Sequence, residues 1–335
     1  MPVSDRAFPL QSMLIALVLL MGVGSLCVGQ YPLSLRDVFY QLSHYADTQS
    51  MAHQIVWTVR LPRILIALLA GGALGLCGAT LQGVFHNPLV DPHIIGVTSG
   101  SAFGGTLAIL LGLDPFLMMG STFFFGLAAL ILVYTIAALQ GLENTLVLIL
   151  SGIILSGFFA ALVSLIQYQA DTEETLPNIV FWLLGSFATA NWTKVLLLSI
   201  PVAVAALVLY KLRWRINLLS LDDKDARALG VRVTALRRGV LLCCALLVAA
   251  QVAVSGSIAW VGLVIPHLAR MLSGADHRRL LPCAFWMGAS FMILVDDLAR
   301  TLTAAEIPIG IITALVGAPL FTVMLVRASR KGLLK

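Results

Sequence analysis

Residues 60–100 read RLPRILIALLAGGALGLCGATLQGVFHNPLVDPHIIGVTSG, and the fold follows from how this stretch is read. It opens with two arginines around a proline. It then runs from 64 to 85 without a charged side chain, 22 residues that can cross a hydrocarbon core about 30 Å thick at 1.5 Å rise per residue. Small residues recur every fourth position, at Ala67, Gly71, Gly75, Ala79 and Gly83. Such a row lets helix backbones approach closely where lipid is as apolar as leucine. A spacing of four drifts against the 3.6-residue turn, so the stripe winds and can meet more than one neighbour. Asn87-Pro88 and Asp91-Pro92-His93 then interrupt the apolar text. Broken backbone and ionisable groups at that depth are tolerated only inside protein or along a wet cavity. The segment reads as a working membrane helix rather than an anchor.

Working outward, the whole chain is built of the same material. Of 335 residues 59% are hydrophobic and 11% charged, with mean hydropathy +0.97. Soluble domains carry about 25% charged residues, so this is an all-α polytopic membrane protein, read as one domain over 1–335. The five cysteines lie scattered in apolar stretches, which implies neither a disulfide framework nor a zinc site. The pI near 9.1 records cytoplasmic lysine and arginine rather than a nucleic-acid partner.

Apolar runs near 14–28, 64–85, 101–112, 116–139, 145–168, 194–210, 239–255, 258–269, 280–299 and 307–326 predict about ten spans, some short. The first, with Arg6 before it, resembles a signal peptide in outline, but its length and the lack of an A-x-A site favour a retained helix. Residues 179–187 are too short to cross and read as an interfacial helix, with Trp182 and Trp192 as belt residues. Ten spans put both termini on one side. With the termini in the cytoplasm sixteen of the 21 basic residues are inside, leaving Arg36, Arg60, Arg63, Lys194 and Arg300 outside. That asymmetry predicts a multi-pass membrane protein with cytoplasmic ends.

An internal repeat shows at an offset of 174 residues. Val90-x-Pro92-His93-Ile94…Ser99-Gly100 recurs as Val264-x-Pro266-His267-Leu268…Ser273-Gly274, and Arg63 maps to Arg237. Five spans separate the copies, so halves of about 60–170 and 234–330 run in opposite directions, either as an inverted transporter repeat or as a chance match in apolar text.

No P-loop, serine nucleophile elbow, H-E-x-x-H or cysteine-paired metal site is present, so neither enzymatic chemistry, a bound metal nor a cofactor is expected. The polar break at 219–231 reads as a short capped helix. Asp222 can cap, Asp223 and Asp225 complement the dipole, and Gly230 terminates. Its apolar Leu221, Ala226 and Leu229 need a partner, which is either another protein or the chain itself. Arg60, Arg63 and Arg300 violate the charge bias, and either snorkel to headgroups or form a docking surface for an acidic partner. His93 and His267 each follow a proline and either cap a broken helix or meet an iron or haem ligand.

These residues carry a resemblance to a known family. Arg60-Leu-Pro-Arg63, Gly78-Ala-Thr-Leu-Gln-Gly83, Asn87-Pro-Leu89, Phe181-Trp-Leu-Leu-Gly185, Asp225-Ala-Arg-Ala-Leu-Gly230, Gly262-Leu-Val-Ile-Pro-His267, Asp276-His-Arg-Arg-Leu-Leu281 and Ile307-Pro-Ile-Gly310…Gly317-Ala-Pro319 resemble the FecCD family, permeases of bacterial ABC importers for iron-siderophores, haem and cobalamin. The resemblance covers nearly the whole chain. It implies ten helices per subunit, a second permease subunit around one pathway, two cytoplasmic ABC ATPases and a periplasmic substrate-binding protein. It further implies that Arg60, Arg63 and Arg300 grip acidic residues of the binding protein, and that 222–230 is the coupling helix entering the ATPase, although Asp222-Asp223 replaces the family's usual Gly-Glu. Glu143-Asn144-Thr145 falls where the family places a cytoplasmic gate, leading into a pathway with Ser151 and Ser156 and with Asn87, His93 and His267 nearby. The expected cargo is a ferric siderophore, with haem or cobalamin as alternatives. An ion-coupled secondary transporter is the reading from another class; it would need a membrane carboxylate, with Asp91, Asp296 and Asp297 the candidates, and the coupling segment argues against it.

Overall fold

The computed structural model describes residues 7–44, 50–139, 145–221, 223–303 and 305–330. Fourteen α-helices follow one another: α1 Ala7–Cys27, α2 Leu35–Ser43, α3 Met51–Gln54, α4 Leu61–Val84, α5 Val97–Leu110, α6 Pro115–Leu139, α7 Thr145–Gln169, α8 Thr175–Leu183, α9 Trp192–Leu219, α10 Asp223–Ala228, α11 Val233–Ser255, α12 Val261–Ser273, α13 His277–Thr301 and α14 Ile309–Arg330. No strand occurs among the described residues. Seven helical stretches are long and apolar enough to cross a membrane, and α5, α12 and the apolar part of α14 are shorter companions. The ten-span, all-α reading therefore holds, with short spans where the sequence has its prolines and glycines.

The deciding stretch is the middle of the molecule. A π-helical turn, Ile55–Arg60, joins α3 to α4, so Met51–Val84 forms one 34-residue rod. Pro62 gives the turn a cause: its ring displaces the carbonyl four residues back, and Leu61 N–H reaches Val56 O, five back, instead. Of the apolar window in this rod 83% is buried, against 22% in α1 and α9, so α4 is the core and those two face lipid. The stripe of small residues is what brings the neighbours in. A Cβ on Gly71 would stand 2.2 Å from Gly288 O of α13, one on Gly75 2.3 Å from Ala284 O, and one on Gly78 1.9 Å from Gly262 O of α12. Ala79 is fully buried, and Gly83 lies against the His277 ring.

After α4 the chain turns back into the bundle. Asp91 caps a 3-10 turn, Pro92–Ile95, accepting from His93 N–H at 2.9 Å, and Gly96 at φ 77° starts α5 in a left-handed conformation that favours glycine. The broken backbone is enclosed: Gln82 Nε2 donates to Val90 O and Leu263 O, and Arg270 donates to Gln82 Oε1 at 3.0 Å.

Two sequence expectations change here. The span expected to end at 210 continues as α9 to Leu219, because hydropathy marks where the bilayer ends and not where the helix does. Its charged last turns are held by aromatic faces, with Arg213 3.6 Å over the Tyr210 ring and Arg278 5.0 Å over Trp214. His93 and His267 do not cap broken helices. Asp91 does the capping for the first, and His267 lies inside α12, whose break comes earlier, at Gly256 and at Trp260 with φ 73°.

Candidate gating and coupling sites

The helix ends gather on two faces. On one face α1 ends, α4 and α9 begin and α13 ends. Here Arg60, Arg63 and Arg300 come together, but inward, at 4%, 5% and 7% exposure. Arg63 Nε donates to both oxygens of Asp296 at 2.9 and 3.0 Å, and Nη1 to Glu306 Oε1 at 2.7 Å. Arg300 Nη2 meets Asp297 Oδ1 at 2.5 Å and Ser25 O at 2.6 Å, while its Nη1 meets Val28 O at 2.6 Å. Arg60 donates to Leu26 O at 2.6 Å and to Tyr31 O. The end of α1 leaves carbonyls that no further helical turn can satisfy, and cations are favoured there. Arg60 and Arg300 supply both needs, while Arg63 is bound to Asp296 and Glu306, so the three neither snorkel nor present an exposed docking surface. That correction comes from partners far away in sequence, Asp296, Asp297, Glu306 and helix-end carbonyls, which no local pattern announces.

The same contacts bear on ion-coupled transport. Asp296 and Asp297, its candidate carboxylates, are each held by a buried arginine. Asp91 is committed to its backbone cap, with His93 Nε2 3.7 Å away.

On the opposite face α4, α9 and α10 end and α11 and α13 begin. The polar break folds as α10, shorter than the segment expected, while Asp222 lies outside the described residues. Asp223 pairs with the buried Arg237 of α11 at 2.6 Å, and Arg227 stands 4.0 Å from Asp223. Ala226 packs fully buried, and Gly230, at φ 79°, closes the helix as Val231 N–H returns to Ala226 O. Asp225, Arg227, Leu221 and Leu229 are left exposed, Leu229 at 62%. Of the three apolar residues, then, the chain itself covers only Ala226.

Two neighbouring contacts brace this face. His86, at φ 51°, sets Nε2 2.5 Å from Leu219 O, tying the end of α4 to the end of α9. Asp276 caps α13, and the Arg278 guanidinium, helped by Asn217, holds its carboxyl well below the usual carboxylate range.

The expected gate is only partly placed. Glu143 and Asn144 lie outside the described residues, and Thr145 opens α7. Ser151 is 1% exposed and turned into the bundle, where neighbouring Gly152 sits against Ile94 O, and Ser156 Oγ lies near Gly96. Neither serine faces an open path. Asn87 is exposed, its side chain accepting from Leu89 N–H at 2.9 Å. What α7 presents outward is apolar: Leu146, Leu150, Ile153, Ile154 and Phe158.

A helical bundle of this kind, with buried ion pairs at one end and an exposed apolar-and-charged short helix at the other, has the build of a membrane transport subunit. Comparison with known proteins makes that specific. The model of the FecCD transport family matches residues 15–327, and the chain belongs to that family. The molybdate import system permease protein MolB of Haemophilus influenzae is 52% identical over 95% of both chains. The hemin transport system permease HmuU of Yersinia pestis is 37% identical over 94% of each, and a probable iron chelatin transport permease of Helicobacter pylori is 37% identical over 94% of this chain and 95% of its own. A solved transporter described as of the metal-chelate ABC type, in an inward-facing conformation, superposes with a TM-score of 0.86 at 52% identity, covering 96% of this chain and 99% of that one. The protein is a permease subunit of an ABC importer, a multi-pass protein of the inner membrane.

Proposed function

We propose that this subunit pairs with a second permease copy or homologue and imports a metal oxyanion of the molybdate class from periplasm to cytoplasm. The single observation that carries the cargo is the 52% identity to a molybdate permease along 95% of both chains, well above the 37% of the haem and iron-chelate relatives. Ferric chelate is the second reading, favoured by the iron chelatin permease and by the metal-chelate label of the structural relative.

Selection falls to a periplasmic binding protein, and energy to two cytoplasmic ATPases that shift the populations of alternating-access states. Charge supports the orientation: α10 and both termini lie on the basic, cytoplasmic side. In this reading α10 enters the ATPase with Leu221 and Leu229 foremost. The binding protein docks on the opposite face, and Arg60, Arg63 and Arg300 shape that face from beneath. The halves 60–170 and 234–330 act as an inverted pair: Arg63 and Arg237 lie buried near the starts of α4 and α11, on opposite faces, and each anchors a neighbouring segment.

The test is uptake by the reconstituted complex with its binding protein, offered molybdate and a ferric hydroxamate separately and read by elemental mass spectrometry. Molybdenum accumulation dependent on ATP supports the first reading. Iron accumulation without molybdenum overturns it in favour of the second.

A further inference from the structure

On the lipid-facing side of the bundle, α6, α9 and α11 leave a cleft that the transport reading does not use. Two voids of about 310 and about 210 Å³ share Met119, Ala253 and Val254, so they meet end to end. The larger is polar at its mouth, with Asn178, Asn191 and Lys194 beside Phe181 and Trp182. The smaller is apolar, walled by Phe116, Phe123, Leu197, Pro201 and Ala250.

The cleft has a direction. Phe123 lies eight residues into α6 and Pro201 nine residues into α9, so at 1.5 Å per residue the slot descends roughly 12–14 Å from the helix starts. Half of a 30 Å hydrocarbon core is about 15 Å, the depth of one leaflet. Its width comes from small residues. A Cβ at Gly120 would meet nothing within 4 Å, and Ala250 and Ala253 line the opposite wall.

The mouth carries one cation. Lys194 Nζ donates to Thr189 Oγ1 at 2.5 Å, and among the described residues no ion pair involves it. An ammonium held at the membrane edge beside two amides and two aromatic rings, above a dry slot one leaflet deep, matches a phosphate headgroup over an acyl chain. The side is right as well. Helix α9 packs on α4, α11 and α13, and its apolar window is only 22% buried.

We propose that this cleft is a specific site for one anionic phospholipid of the leaflet on the α8 face, its phosphate on Lys194 and one acyl chain in the slot past Gly120.

The experiment is native mass spectrometry of the purified full chain, delipidated in detergent and titrated with dioleoyl phosphatidylglycerol or dioleoyl phosphatidylethanolamine. Wild type should retain one phosphatidylglycerol, with about fivefold preference over phosphatidylethanolamine, the scale of one lysine at a charged membrane surface. Lys194→Gln should lose the preference and still bind, and Lys194→Arg should restore it. Gly120→Leu, filling the slot, should weaken both lipids about tenfold or more, with Ala250→Phe as the second slot variant should the first not give a monodisperse protein. Equal retention of both lipids by wild type, or wild-type retention by Gly120→Leu and Lys194→Gln, would mean annular lipid only and overturn the site.

Discussion

Leu229 offers the sharpest test of coupling. Full burial of a leucine is worth about 1.5–3 kcal/mol. Leu229 still exposes 62% of its surface, so covering that remainder in an ATPase cleft is worth about 1–2 kcal/mol. Leu229→Ala should therefore weaken ATPase binding by about 5–30-fold. Leu229→Asp should do more, since it places a carboxylate in that contact without a partner. Neither change should unsettle the permease, because the residue is exposed in its own chain and the anchor of α10 is Asp223 on Arg237. The assay has three arms on one preparation: thermal unfolding in detergent, affinity for the purified ATPase by surface plasmon resonance, and uptake in proteoliposomes. The expected pattern is an unchanged melting temperature, a lost affinity and no transport. An unchanged affinity for Leu229→Asp would refute the coupling role. A fall in melting temperature equal to the loss of binding would return α10 to a loop helix that packs on its own chain.

Other outcomes follow from the packing and the ion pairs. Gly78→Ala should destabilise by about 1–3 kcal/mol, since the new methyl meets Gly262 O at 1.9 Å and backbone must move. Gly157→Ala, with nothing within 4 Å, is the control, and thermal unfolding in detergent reads both. Arg63→Met should cost about 3 kcal/mol, the low end for a broken buried pair, because Asp296 keeps only the more distant Arg300 at 3.9 Å. Adding Asp296→Asn should recover much of that loss, and a double variant no better than the single would refute pairing as the cause. Cysteines placed at Thr172 and Asp225, both exposed, should label from opposite sides of the membrane; labelling from one side would sink the ten-span topology.

Membrane residence, helical class and the near positions of the spans were legible in the sequence because hydropathy is a property of local composition. Lipid cannot hydrogen-bond a backbone, so a long apolar run has only the helix open to it. The stripe from Gly71 to Gly83 was legible for the same reason, since a close helix approach demands small residues wherever the partner is. Which partner it meets, α13 at Gly71 and Gly75 and α12 at Gly78, was decided only in three dimensions. The arginines show the boundary most clearly. Their charge against the bias of the expected topology marked them, and charge alone is as compatible with a surface grip as with a buried clamp. Only the return of α13, 233 residues later, brings Asp296 to Arg63 and turns the side chain inward. Likewise the sequence of α10 predicts a capped helix with apolar residues, while the fold alone decides that Ala226 is covered and Leu229 is left exposed. Composition and period act over a few residues and survive in the text; a buried charge is settled by whatever distant group desolvation forces it to meet.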